Sequence, residues 1–184
     1  MLRDNRELWL AAFAILLITG VYVSVIIFTQ EIPPAGELFG HSMGIVGFVL
    51  MLMTETLYSL RKRSRSVRWG KLSSWLQFHI FTGIVGPYMV LLHSSWKFNG
   101  IAGVTTLFTI IIVISGFTGR YIFTRIPRTL DGLEIEGTLS QEALKQARRL
   151  LALWHTIHIP IGMVLFTSVI IHIFAALYYA TFLK

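Results

Sequence analysis

Two stretches decide how this chain folds: residues 79–93, HIFTGIVGPYMVLLH, and residues 158–172, HIPIGMVLFTSVIIH. Each is apolar, and each begins and ends on histidine. An ionisable side chain inside a long apolar run is costly and marks a functional position more often than a structural one. On an α-helix, the step from the first histidine to the last closes four turns less about 40° and rises about 21 Å. The members of each pair therefore share one helix face at two depths of a hydrocarbon layer about 30 Å thick. Both stretches also repeat one grammar, His79-x3-Gly83-x9-His93 and His158-x3-Gly162-x9-His172. Each glycine falls about 40° from its first histidine, so the helix face there carries no side chain to obstruct a flat group lying against it.

Composition agrees with a membrane setting. The chain has 184 residues, of which 54% are hydrophobic and only 14% charged, with a mean hydropathy of +0.68. Five apolar runs reach the roughly 20 residues that a spanning helix needs, at about 8–29, 41–60, 72–95, 102–123 and 152–181. The expected fold is an all-α integral membrane protein with one membrane domain over 1–184. The four later spans, which carry all six histidines, are expected to form a bundle, and the first is an extra span. That first run is too long for a signal-peptide core and reads as a retained anchor. A short amphipathic segment at about 138–151 opens like a capping box, Thr138-Leu139-Ser140-Gln141. It suits a helix on the membrane surface or one packed against the bundle.

The net charge of +7 is distributed as topology rather than as a nucleic-acid footprint, and no nucleic-acid partner is expected. Fourteen of the sixteen Lys and Arg fall in the N-terminal segment and in the second and fourth loops, leaving only Lys97 and Lys184 elsewhere. The positive-inside rule then places the N-terminus in the cytoplasm and the C-terminus outside, in a membrane expected to be the bacterial inner one. Spans three and five run the same way, so His79 matches His158 in depth and His93 matches His172.

Two histidines at each of two levels suit the axial positions of two haem irons. A zinc site closed by side chains needs three or four ligands. There is no cysteine, which excludes disulfides, thiolate-bound clusters and covalent haem attachment. The haems are therefore expected to be non-covalent and b-type. His155, three residues before His158, competes for the same ligand role. Arg120 ends the fourth span, where it suits either a haem propionate or a snorkelling position. His41 opens the second span, and Glu55 is an acid embedded in it; pairing with a loop arginine and proton handling beside a quinone both fit Glu55. Pro87 and Pro160 bend their helices near the ligands.

On these residues the chain resembles the haem-binding four-helix core of the respiratory cytochrome b family, including bacterial di-haem subunits, and more distantly the membrane domains of ferric reductases and NADPH oxidases. The resemblance spans about residues 41–181. It implies His79 and His158 as inner haem ligands, and His93 and His172 as outer ones. The chain departs from the family in lacking a Pro-Glu-Trp-Tyr quinol loop, and it has no G-x-G-x-x-G fingerprint for a dinucleotide. The function implied is that of an electron-transfer subunit rather than a self-contained enzyme. It carries electrons between a quinone pool and a partner redox protein in a membrane complex, with lipid around it. The alternatives are a reductase relay fed by a separate flavoprotein, and a haem-free scaffold or transporter.

Overall fold

A computed structural model of the chain describes residues 5–63, 70–124 and 141–182. These form helices α1 (Arg6–Thr29), α2 (Leu38–Arg63), α3 (Leu72–His93), α4 (Gly100–Thr124) and α5 (Gln141–Phe182). No strand occurs among the described residues. All five helices are long and apolar enough to cross a membrane. Helices satisfy every backbone polar group internally, which a hydrocarbon layer demands. Large apolar side chains cover the outside: Trp9, Phe13, Phe28, Met163, Phe174 and Phe182 are all mainly exposed. Patches of this extent do not persist on a water-soluble monomer. The protein is an integral membrane protein.

Helix boundaries differ modestly from the apolar limits. α2 continues through the basic residues Arg61–Arg63, because a helix ends on backbone geometry rather than on polarity. α3 stops at His93. Ser95 and Trp96 there adopt left-handed φ of 49° and 61°, and Ser95 Oγ donates to Pro33 O at 2.6 Å. The amphipathic segment is not a separate element: its described part forms the first turns of α5, a 42-residue helix about 63 Å long. Residues 141–158 contain no glycine or proline, so nothing interrupts the backbone ladder. The proposed cap at 138–140 lies outside the described residues, as do 64–69 and 125–140, which hold much of the second and fourth loops.

The helices pack as two close pairs, α2 with α3 and α4 with α5, while α1 lies against α3. Glycine brings α2 and α3 together: a methyl group at Gly47 would meet Gly86 O at 2.9 Å, and one at Gly86 would meet Gly47 O at 3.0 Å. Thr54 donates to Thr82 Oγ1 at 2.7 Å, and the fully buried Thr82 donates to Phe78 O at 2.9 Å. Gly119 opens a slot in α4 that the Trp154 indole of α5 fills. α1 joins through Ala11 against Val85 and Met89 and through Thr19 bonded to Tyr88 at 2.6 Å. α3 also touches α4, which links the two pairs.

Candidate functional site

His79 of α3 and His158 of α5 line one cavity, and His93 and His172 lie fourteen residues further along the same two helices. α3 and α5 are not among the closely packed helix pairs. At the level of His79 and His158 the space between the helices is a cavity of about 760 Å³, within the range of cofactor sites. Its lining includes His79, Gly83, His158, Gly162, Arg120, Glu55 and His155. Its lining reaches the basic ends of α2 and α4, with Lys62 and Arg120 among the residues.

Hydrogen bonds fix the ring orientations. His79 Nδ1 lies 2.9 Å from Thr54 O, and His93 Nδ1 lies 2.8 Å from Gly40 O. A carbonyl only accepts, so each Nδ1 carries the proton. The neutral ring then has its lone pair on Nε2, the state in which histidine binds a metal. His158 Nδ1 lies 2.9 Å from Ser115 Oγ. The Trp154 indole N–H donates to Ser115 O at 2.7 Å, and its ring stacks on His158 with centroids 4.5 Å apart. His172 makes no hydrogen bond to a described residue. The donor set and the cavity therefore fit a flat cofactor held by two imidazoles. Among the described residues no three His, Cys, Asp or Glu side chains converge on one point.

The two glycines of the repeated grammar differ in their surroundings. A methyl at Gly162 would find its nearest neighbours at 3.8 Å (Glu55 Oε2) and 4.0 Å (Ile112 Cδ1), so this surface is open to the cavity. One at Gly83 would meet Thr54 Cγ2 at 3.3 Å, so Gly83 also serves the α2–α3 contact. At the other level Gly44 lets the helices approach closely: a methyl there would meet the His93 ring at 2.8 Å.

Arg120 lines the cavity, and its guanidinium also bonds to the start of α1. Its Nη2 donates to Glu7 Oε1 at 2.8 Å and to Asn5 Oδ1 at 2.8 Å. Glu7 is almost wholly buried. Arg120 thus ties the end of α4 to the start of α1, a structural ion pair between spans. His155 also lines the cavity, with Nδ1 on its own helix at Leu151 O (2.9 Å) and Nε2 3.5 Å from Lys62 Nζ. His41 sits beside His93 with ring centroids 6.4 Å apart. Between the two levels Met51, Leu165 and Val169 form a buried apolar cluster flanked by Phe48, Phe108 and Phe166.

Sequence reasoning missed Ser115, Lys62 and Glu7. Only Glu7 left a signal, as an acid at the threshold of the first apolar run. No protein-family model matches the chain, and no curated protein or solved structure matches it either.

Proposed function

We propose that the chain is a di-haem membrane cytochrome b subunit that carries electrons across the bilayer between a quinone pool and a partner redox protein. The observation that carries this reading is the pair His79 and His158 lining one cavity, with the same spacing repeated at His93 and His172 and Nδ1 of His79 and His93 committed to backbone carbonyls. Bound haems supply one-electron carriers at two depths. Each level offers two imidazoles, enough to fill both axial positions of one iron, which suits relay rather than substrate chemistry at the metal.

The protein's own residues do the rest. Thr54 O and Gly40 O hold the ligand rings in one tautomer and raise the basicity of Nε2. Ser115 and Trp154 position the His158 ring through a hydrogen bond at Nδ1 and a stacking contact. The Met51–Leu165–Val169 cluster keeps water out between the levels. The fourteen-to-two division of basic residues supports an N-terminus inside and a C-terminus outside, in a bacterial cytoplasmic membrane. A relay needs a donor and an acceptor, and the chain holds no dinucleotide fingerprint, so it works within a complex.

The test uses purified, haem-loaded chain in vesicles with ferricyanide trapped inside and an impermeant reductant outside. Internal ferricyanide should be reduced by the natural chain, and not by His93→Ala or His79→Ala. Haem-loaded vesicles that pass no electrons would overturn the relay.

A further inference from the structure

Two histidines of α5 line the cavity, His155 and His158. They are three positions apart, which sets them about 60° apart around the helix and about 4.5 Å apart along it. Either imidazole offers a nitrogen to an iron, and the choice between them sets the depth of the site. His158 lies fourteen residues before His172, as His79 lies before His93, whereas His155 lies seventeen before it. A flat cofactor carried by His155 is therefore out of step with His79. Residue spacing alone does not make the choice, because the same donor atom is present one turn away.

What distinguishes the two rings is built on α4. Ser115 Oγ lies 2.9 Å from His158 Nδ1. The Trp154 indole N–H donates to Ser115 O at 2.7 Å and reaches Ser115 Oγ at 3.2 Å. The benzene side of the same indole fills the slot left by Gly119, one turn further along α4. The indole is thus fixed at both edges. From that seat it stacks on His158, with centroids 4.5 Å and planes 29° apart, and meets His155 edge-on, at 4.7 Å and 64°. The His158 ring is held by a hydrogen bond in its own plane and by an aromatic ring against its face. His155 turns its Nδ1 to Leu151 O of its own helix at 2.9 Å, so Nδ1 carries the proton. Its Nε2, the nitrogen a metal needs, lies 3.5 Å from the Lys62 ammonium.

We infer that Ser115, Trp154 and Gly119 form a ligand-selecting seat: they fix the plane of the His158 imidazole and so make it, rather than His155, the α5 partner of His79. The inference rests on the haem reading of the site. With Nε2 of His158 on a metal, Nδ1 carries the proton and donates to Ser115 Oγ, which raises the basicity of the ligand. The three are positioning residues that act through His158. His155 is the alternative donor that the seat keeps out of use.

The experiment reads the low-spin ferric EPR signal of the His79–His158 level in the full, haem-loaded chain. The spectrum of His79→Ala, which keeps the other level alone, is subtracted, and that other signal is the control for folding in every variant. The natural chain should give one signal at this level, unchanged in His155→Ala and lost in His158→Ala. Losing an orienting partner lowers metal affinity about 10–100-fold. Ser115→Ala combined with Trp154→Leu should therefore cut the preference for His158 by that factor, and a second signal should appear. Adding His155→Ala should remove the second signal and leave the first. Gly119→Ala, whose methyl would collide with the Trp154 ring, should produce the second signal with both histidines, Ser115 and Trp154 still in place. Ser115→Thr, which keeps the hydroxyl, should not. A single unchanged signal in Gly119→Ala and in the double variant overturns the seat and leaves the haem reading standing. Loss of the signal with none in its place overturns it too, since the seat would then hold a ring without choosing one. The natural chain decides as well: a signal lost in His155→Ala and kept in His158→Ala reverses the selection, even where a seat variant fails to fold. A chain that takes up no haem overturns the haem reading and the seat together.

Discussion

Replacing Gly44 by alanine should empty the His93–His172 level and leave the other level loaded. The added methyl would lie 2.8 Å from His93 Cγ and Nδ1 and 2.9 Å from Cδ2. Carbon atoms settle at about 3.5–4.0 Å, so the ring must retreat by about 0.6–1.2 Å or the two helices must part. Overpacking of this kind costs about 1–3 kcal/mol. Retreat also strains the 2.8 Å bond from Nδ1 to Gly40 O, worth about 0.5–1.5 kcal/mol more. Losing such an orienting partner lowers metal affinity about 10–100-fold. The haem-to-protein ratio of purified Gly44→Ala, measured by pyridine haemochrome, should therefore fall from near two toward one. The level at His79 lies about 21 Å away along α3 and should keep its spectrum. Gly20→Ala is the control, since a methyl there meets nothing within 4 Å. Two haems with unchanged spectra in Gly44→Ala would refute the placement of a ligating His93 ring against α2.

Three further outcomes are expected. His93→Ala or His172→Ala should each lose one haem, and His79→Ala or His158→Ala the other, whereas His155→Ala should keep both when loaded with excess haem; absorption spectra of the purified variants decide it. Arg120→Ala strands the buried Glu7 carboxylate and should destabilise the chain by about 3–5 kcal/mol, with Glu7→Gln restoring part of the loss in thermal unfolding in detergent. The chain has no cysteine, so single cysteines report topology cleanly: one at Gln141 should react with an impermeant maleimide only from the cytoplasmic side, and one at Gly36 only from outside.

The spans and the paired histidines were legible because each is a pattern of period and polarity. Hydropathy located all five helices, and counting steps from His79 to His93 placed both on one face. Which helices pair was not legible, because it depends on close approach at Gly47, Gly86 and Gly119, and a glycine in sequence does not say which neighbour it admits. The partners of His79 and His93 are the backbone carbonyls of Thr54 and Gly40, groups every residue carries, so no side chain announces them. The Arg120–Glu7 pair was not legible because Glu7 lies 113 positions away and begins a different span. The amphipathic start of α5 was taken as an element of its own because polarity changes near 151, while the backbone continues unbroken.

The central claim is two bis-histidine haems in one five-helix membrane chain, and the absorption spectrum of the purified protein tests it most directly. A dithionite-reduced sample should show low-spin b-type bands, with haem extractable by acidic organic solvent at a ratio near two per chain. A ratio near one, high-spin iron, or a chain that carries no haem when expressed with haem in excess would contradict it.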